Sequence, residues 1–392
     1  MPHARPRIAI LAPTGQGGVA AAVDALVPVL PEAVRVPLRP LPRAAWVATA
    51  GDVDAVWLHA SLRRRALVRD RLLAGLIALR HRPLAVQLHG WDPRLAARLA
   101  AAPLPGVAVW GVLTEVQQDA LLRWGVPQHA VHRVTNALRP EVVPDRLAPT
   151  DPPTVLFVGR FVAEKGPLRL LEALRHDEVR VRFAGAGPER AALVHAIARW
   201  GLADRVRVDG WLPPAALRRA YAEASALALP SEDEACPLAV IEALAAGVPV
   251  LATRVGDVPA LVGDGGVVLE PPVDPEVLRE AVLGLLRSPP PMAAARARIR
   301  AASAPERVAA SGARCSGGSP EAEPAVLPGG DPVTPRGRGR GRRRARRAPS
   351  RAVRWWGRSA PAPPARRDAV EGPDRSPATT AASSGAAAAS TA

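Results

Sequence analysis

The chain alternates short apolar runs with longer stretches of Ala, Leu and Arg at helical spacing, up to about residue 290. Regular alternation of strand and helix predicts an α/β fold with parallel sheets covered by helices on both faces. Strands are predicted at 7–11, 55–59, 84–88, 108–113, 155–158, 179–183, 206–208, 226–229 and 248–252. Helices are predicted at 19–30, 62–79, 116–124, 168–174, 189–200, 215–224, 238–246 and 275–286.

This alternation is too long for one ordinary sheet and predicts two Rossmann-like, doubly wound domains. A proline-rich stretch at 139–153 interrupts both helix and strand patterns and separates the two sets of elements. We therefore predict one domain at 1–145 and a second at 146–292.

The pattern changes after residue 292, where apolar periodicity fades and the segment 336–347 reads RGRGRGRRRARR. Residues 291–392 carry 19 arginines against 7 acidic residues, whereas the first 290 residues carry 33 basic and 29 acidic groups. The isoelectric point near 11.4 therefore mostly describes this tail. We predict a low-complexity, disordered tail at 293–392, with disorder from about residue 300.

Three interpretations of the tail stay open. It is a solvated extension without function, or a segment that binds nucleic acid or an anionic membrane through its arginines. The third and favoured interpretation is out-of-frame translation of a GC-rich gene, because the pattern breaks inside a helix that begins at Ala293.

Composition restricts the class of protein further. Hydrophobic residues make up 48% of the chain, enough for a sizeable core, and the two cysteines cannot build a disulfide framework. No apolar run is long enough to span a bilayer, and the first apolar run is too short for a signal peptide. We expect a cytoplasmic protein, with peripheral contact at the inner membrane face as a further expectation.

The only lysine of the chain, Lys165, lies in a glycine-bounded turn between a predicted strand and a predicted helix. The same turn carries Arg160, and two cations at such a place are typical of an anion site. The alternative is that Lys165 is a surface lysine without function.

An acidic loop follows the predicted strand 226–229 and leads into a helix beginning near Leu238. Glu234 in the loop and Glu242 in the helix are eight residues apart, so both can face a pocket at the carboxyl end of a parallel sheet. Their carboxylates suit vicinal hydroxyls, and the free N–H groups at the helix start suit a phosphate. The alternative is an acidic first turn with one solvated glutamate.

Together these motifs resemble the family 4 (group 1) retaining glycosyltransferases of the GT-B fold, over roughly residues 155–286. The resemblance rests on Gly159-Arg160, Lys165-Gly166, the turn Gly185-Ala186-Gly187-Pro188, and the carboxylate pair. The N-terminal half is similar more loosely, through Gly15–Gly18, His89-Gly90-Trp91-Asp92 and Thr135-Asn136.

The resemblance implies four catalytic residues. Arg160 and Lys165 would hold the donor diphosphate and stabilise the leaving group. Glu234 would contact hydroxyls of the donor sugar, and His89 would lie near the transferred sugar. For His89 alone, a structural role is the more common alternative.

The resemblance also implies a set of residues that bind the donor nucleotide. Glu242 would bind the ribose hydroxyls, and the glycines would allow the ligand a close approach. The remaining members of this set are Gly17, Gly18, Gly159, Gly185, Gly187 and Leu238. The segment Gly185–Pro188 is about equally consistent with a loop that contacts the base and with a plain tight turn.

The implied activity moves a sugar from a nucleotide diphosphate donor to a glycan or lipid-linked acceptor, with retention at the anomeric carbon. Residues 1–145 would be the acceptor domain and 146–292 the donor domain. No metal and no cofactor besides the nucleotide sugar are expected, and cell-surface glycan biosynthesis is the implied setting. A less favoured interpretation is that the chain is a sugar-nucleotide epimerase or a phosphorylase with the same two-sheet architecture.

Members of this family end with a helix that crosses back to the N-terminal domain, and the chain loses its pattern where that helix belongs. The sequence therefore predicts loosely fixed domains and impaired activity. The alternative function is a non-catalytic GT-B protein that binds an anionic membrane or nucleic acid through the tail; nucleic acid is not expected to bind elsewhere.

Overall fold

A computed structural model describes residues 7–314, apart from residues 16, 31, 62, 63 and 146. The described part confirms the predicted α/β fold. It contains two parallel six-stranded sheets, which belong to the same compact unit of the chain. The arginine-rich segment and all three interpretations of it lie outside the described residues.

The first sheet has the strand order β2-β1-β3-β4-β5-β6. Its strands are β1 (Ile8–Ala12), β2 (Ala33–Pro37), β3 (Ala55–Ser61), β4 (Leu84–His89), β5 (Val107–Val112) and β6 (Val131–Arg133). The helices of this half are α1 (Gly18–Asp24), α2 (Leu41–Thr49), α3 (Arg64–Leu79), α4 (Pro93–Ala101) and α5 (Glu115–Arg123). Buried Ala, Val and Leu side chains from both faces of the sheet form its core.

The second sheet has the strand order β12-β11-β10-β7-β8-β9. Its strands are β7 (Thr154–Val158), β8 (Arg180–Ala184), β9 (Val206–Gly210), β10 (Ala226–Leu229), β11 (Val250–Thr253) and β12 (Gly266–Leu269). The helices of this half are α6 (Pro167–Ala173), α7 (Arg190–Arg199), α8 (Pro214–Glu223), α9 (Leu238–Ala246), α10 (Val258–Val262) and α11 (Pro275–Arg287). Every residue of α9 is buried, so this helix forms the centre of the second core.

Three strands that the sequence did not predict are β2, β6 and β12, and all three are sheet edges. Edge strands are paired on one side only, and β2 and β12 are mostly half-buried, so their apolar signal is weak. The last strand of the first sheet ends at Arg133 and the first strand of the second begins at Thr154. The boundary at residue 145 falls between them and stays a prediction.

Two further helices, α12 (Ala293–Ala302) and α13 (Pro305–Arg314), follow the second sheet. The expectation that the closing helix is lost, with disorder from about residue 300, was wrong in this region. Val308 and Ala309 of α13 are each 2% exposed and pack in one cluster with Ile8 and Ile10 of the first sheet. Short, alanine-rich helices carry a weak sequence signal, and tertiary packing supplies what the pattern lacks.

Among the described residues, none of the helices combines the length and apolar character that a bilayer crossing requires.

Candidate functional site

The predicted site residues lie where strands of the two sheets end. Gly17 follows β1, and His89 is the last residue of β4. Arg160 and Lys165 follow β7, and Glu234 follows β10. Because the strands of each sheet are parallel, their carboxyl ends share one edge, which is where ligands of open α/β sheets bind.

The turn after β7 holds Lys165 against the acidic loop after β10. The ammonium of Lys165 lies 2.8 Å from Oε2 of Glu234 and donates a hydrogen bond of 2.6 Å to the carbonyl of Asp233. Gly166 follows with a φ of +69°, and a Cβ there would lie 2.7 Å from the carbonyl oxygen of Pro230. Glycine therefore lets the turn reach the loop closely enough for the ion pair.

The carboxylate of Glu234 is held from both sides. Its Oε1 accepts a hydrogen bond of 3.0 Å from the hydroxyl of Ser231, while Oε2 faces Lys165. The side chains of Lys165 and Glu234 keep 14% and 12% of their surface exposed, so the pair is reachable from solvent. A fixed ammonium and a fixed carboxylate side by side suit an anionic group and a hydroxyl-bearing group, respectively.

Arg160 lies in the same turn, and its side chain is exposed. No hydrogen bond or ion pair engages its guanidinium among the residues that the structure describes. The two predicted cations thus differ: Lys165 is fixed by protein partners, whereas Arg160 is available to a ligand.

Glu242 is placed differently from the prediction that it faces a pocket together with Glu234. It is 1% exposed, and its Oε1 accepts a hydrogen bond of 2.6 Å from Nε of Arg139. Its Oε2 accepts one of 2.8 Å from the hydroxyl of Tyr221, the only tyrosine of the chain. A ribose could reach this carboxylate only by displacing one of these two partners.

The three residues form one buried charge cluster. Burial lowers the pKa of Arg139, but the charge and hydrogen bond of Glu242 outweigh this effect and raise it. Burial and the Glu242 charge raise the pKa of Tyr221 well above its usual range. Replacing Glu242 by alanine would leave Arg139 unpaired, at a cost of about 3–5 kcal/mol. That substitution is therefore expected to damage the fold as well as any binding.

Gly185 and Gly187 lie against protein backbone, whereas a Cβ at Gly159 would meet only the side chains of Phe157 and Leu229, at 3.4 to 3.9 Å. A Cβ at Gly185 would fall 1.8 Å from the carbonyl oxygen of Gly159, and one at Gly187 would fall 2.3 Å from that of Phe161. The backbone N–H of Phe161 donates a hydrogen bond of 2.9 Å to Ala186. These contacts favour the tight-turn interpretation, because the glycines let the loops after β7 and β8 meet.

Gly17 and Gly18 have open space beside them instead. A Cβ at either position would meet no atom within 4 Å, and Gly18 is exposed. Packing within the described part of the protein does not explain why these residues are glycine. The space suits the predicted close approach of a ligand to the loop after β1.

Leu238 is the first residue of α9 and is 9% exposed. Pro237 precedes it as the cap of the helix, without a capping side chain. The backbone N–H groups of the first turn therefore have no side-chain acceptor, and such a helix start favours an anion.

His89 forms a buried pair with His59, a residue that the sequence analysis did not select. Nδ1 of His59 and Nε2 of His89 are 2.9 Å apart, and the two rings stack with centroids 5.1 Å apart. Burial lowers the pKa of His89 to about 4. Burial, followed by the charges of His89 and Arg35, lowers that of His59 well below its usual range. Both rings are therefore neutral at pH 7.

The pair also decides which nitrogen of His89 carries its proton. Nε2 of His59 is buried and has no partner in the described part of the chain, and a buried N–H without an acceptor is costly. His59 therefore carries its proton on Nδ1 and donates it to Nε2 of His89. This leaves His89 with an N–H at Nδ1, which can donate to a ligand.

Side chains also join the two halves of the protein beside this site. Nδ2 of Asn136 donates a hydrogen bond of 2.7 Å to the carbonyl of Cys236, and Arg133 pairs with Asp257. The Cys236 thiol lies 3.5 Å from the hydroxyl of Thr135, and burial raises its pKa to about 12. Cys236 is thus a packing residue with a protonated thiol.

Among the described residues, no cluster of three or more His, Cys, Asp or Glu side chains has a geometry that could hold a metal ion.

Comparison with known proteins finds a family similarity in the second half of the chain. Residues 139–303 match the family of glycosyl transferases group 1. The chain is 32% identical over 219 residues to the alpha-D-kanosaminyltransferase of Streptomyces kanamyceticus, covering 51% of this chain and 54% of that protein. It is 37% identical over 164 residues to the D-inositol 3-phosphate glycosyltransferase of Mycolicibacterium paratuberculosis, covering 40% of this chain and 37% of that protein. The matches thus span about half or less of these relatives.

Solved structures agree on the fold. HepE from Anabaena in complex with UDP-glucose aligns with a TM-score of 0.65 at 18% identity, covering 79% of this chain and 99% of that one. The sucrose-phosphate synthase of Thermosynechococcus elongatus aligns with a TM-score of 0.62 at 19% identity, covering 78% and 97%. The two sheets therefore have the GT-B arrangement. Over residues 139–303, the chain is similar to the group 1 glycosyltransferases.

Proposed function

We propose that the protein is a glycosyltransferase that moves a sugar from a nucleotide diphosphate donor to a glycan or lipid-linked acceptor. The observation that carries the proposal is the contact between Lys165 and Glu234 at the carboxyl edge of the second sheet. The family match, and the UDP and UDP-glucose complexes of HepE, give it further support.

In this mechanism Lys165 and Arg160 bind the donor diphosphate from one side. Breaking the bond between the sugar and the phosphate leaves negative charge on the diphosphate, which the two cations stabilise. Glu234 accepts hydrogen bonds from hydroxyls of the donor sugar, and the Nδ1–H group of His89 donates to the sugar from the first sheet. The acceptor attacks the anomeric carbon from the face that the diphosphate leaves, and the leaving phosphate takes its proton.

Same-face attack gives retention at the anomeric carbon, and the cations serve the leaving group in place of a metal. In this proposal Glu242 binds the ribose of the donor after its hydrogen-bond partners rearrange. Arg139 or Tyr221 releases one carboxylate oxygen when the ribose of the donor binds. The sequence predicted impaired activity because the closing helix was expected to be lost. With α12 and α13 present, that reason no longer applies.

The sharpest test of donor binding is Lys165→Gln, which removes the charge and leaves a polar side chain that is only slightly shorter. A thermal-shift panel of UDP-, GDP- and ADP-sugars identifies the donor, and calorimetry then measures its affinity. We expect Lys165→Gln to weaken donor binding more than tenfold, because a charge-assisted contact to phosphate is lost. Chelation of divalent ions with EDTA should leave transfer unchanged.

Arg199→Gln is the matched control, because Arg199 is exposed in the last turn of α7, away from the carboxyl edge of the sheet. It removes the same charge and should leave donor affinity within twofold. Equal donor affinity in Lys165→Gln and the wild type would contradict the proposal. Transfer that requires a divalent ion would contradict the part of the proposal that excludes a metal.

A further inference from the structure

A pocket beside the first sheet shares no lining residue with the site described above. It has a volume of about 570 Å³ and is lined by Leu38, Arg39, Leu41, Ser61, Arg65, Ala66 and Arg69. Its walls come from the segment after β2, the end of β3 and the first turns of α3. The volume is that of an ordinary small-molecule site.

The charge of this pocket is strongly positive. Within the part of the chain that the structure describes, three guanidinium groups and no carboxylate line it. Arg69 pairs with the buried carboxylate of Asp70 at 2.6 Å. Arg39 and Arg65 are exposed and have no ion pair or side-chain hydrogen bond among the described residues. With Asp70 ionised, the described groups at the pocket sum to a charge of about +2, which balances that of a phosphate monoester near pH 7.

The pocket adjoins the proposed reaction centre. Ser61, which lines it, pairs in register with His89 across β3 and β4. Neighbouring strands are about 4.8 Å apart, so Ser61 brings one wall of the pocket beside the strand end that carries His89. An anionic group held by the arginines would leave the rest of such a molecule facing the donor sugar.

We propose that this pocket binds a phosphate group of the acceptor, through Arg39, Arg65 and Arg69. Assigning the phosphate to the acceptor rests on the proposed function, whereas the existence of a phosphate site does not. Guanidinium groups bind phosphate oxygens in a bidentate manner, which fixes orientation as well as affinity. The phosphate belongs either to a small phosphorylated polyol or to a lipid phosphate.

The test uses the full chain and titrates it with inorganic phosphate by calorimetry, with and without saturating UDP. Phosphate binding should persist in the presence of UDP and fall at least tenfold in the Arg39→Gln/Arg65→Gln variant. The matched control is Arg43→Gln/Arg80→Gln, which removes two exposed arginines of the same domain outside the pocket. The control should bind phosphate as the wild type does.

The result that overturns the proposal is phosphate binding that is equal in the pocket variant and the wild type, or that UDP abolishes in the wild type. Failure of every UDP-, GDP- and ADP-sugar of the panel to bind would count against the proposed function, while the phosphate titration would still test the pocket. If the pocket variant does not fold, the wild type gives a second measurement. Phosphate should protect Arg39 and Arg65, but not Arg43 and Arg80, from modification by phenylglyoxal.

Two further probes distinguish the source of the phosphate. Glycerol 3-phosphate stands for a soluble acceptor, and phosphatidylcholine vesicles with and without phosphatidic acid stand for a lipid acceptor. Binding of one probe that is lost in Arg39→Gln/Arg65→Gln identifies the source. If neither probe binds in a manner that depends on these arginines, the assignment to a phosphorylated acceptor is wrong.

Discussion

At the scale of single residues, the paired histidines His59 and His89 link stability to the proposed chemistry. Each ring is buried in its neutral form, and a single hydrogen bond joins Nδ1 of His59 to Nε2 of His89. The unfolded chain binds protons with a pKa near 6.5 at these positions, whereas folded His89 does so only at about 4. Stability contributed by the pair is therefore present above pH 6.5 and is lost as the pH falls toward 4.

We predict that His89→Phe reduces the acid sensitivity of the fold. Between pH 7 and pH 5 the wild type should lose about 2 kcal/mol of unfolding free energy through His89, and the variant should not. Asp70 acts in the opposite sense, because burial raises its pKa from 3.8 to about 6, so its contribution grows as the pH falls. Denaturant unfolding at the two pH values measures the difference.

His195→Phe is the control for this prediction, since His195 is exposed in α7. It should keep the pH dependence of the wild type. Identical pH dependence in His89→Phe and His195→Phe would show that the histidine pair is not responsible.

At the scale of elements, the loops after β7 and β8 depend on their glycines. Gly185 has a φ of +148°, and its Cα faces the carbonyl of Gly159 at a distance that admits no side chain. The sequence pattern GAGP was compatible with either a ligand loop or a tight turn. The close approach of two backbones accounts for the glycines of the turn without a ligand.

We predict that Gly185→Ala destabilises the protein by about 3 kcal/mol or more, because the added methyl group overlaps backbone atoms that cannot move independently. Gly284→Ala is the matched comparison, since that glycine lies within α11 and an added Cβ meets nothing within 4 Å. It should stabilise the protein by up to about 1 kcal/mol. Thermal and denaturant unfolding measure both, and a neutral Gly185→Ala would refute the packing argument.

At the scale of the whole molecule, α13 connects the end of the described chain to its beginning. The helix follows the second sheet in sequence, yet Val308 and Ala309 are buried against the first. The N–H of Leu138 donates a hydrogen bond of 2.8 Å to the carbonyl of Ser303, just before α13. The segment that joins the two sheets is thus tied to the closing helices.

We predict that Val308→Asp destabilises the fold by at least about 3 kcal/mol, since it buries an unpaired carboxylate. Ala310→Asp places the same charge on the exposed side of the helix and should change stability by less than about 0.5 kcal/mol. Denaturant unfolding compares the two variants. Equal stabilities would mean that α13 does not pack on the first sheet in solution.

The sequence by itself determined the parallel α/β architecture, the central strands of both sheets and the turn that carries Lys165. Central strands are buried on both faces, and their uninterrupted apolar runs are legible without a structure. Glycines and a solitary lysine between a strand and a helix are equally local signals. The edge strands and the closing helices lacked such signals, because their stability depends on neighbours distant in sequence.

Only the tertiary structure decided which polar side chains meet. Glu242 is hydrogen-bonded to Arg139, 103 positions away in the sequence, and to Tyr221, 21 positions away. His59 and His89, which also form a hydrogen bond, are 30 positions apart. No periodicity encodes such contacts, since they follow from the order of strands in the sheets and from the way the two halves pack. Local residue types set the chemistry that is available, and long-range packing selects which groups remain free to use it.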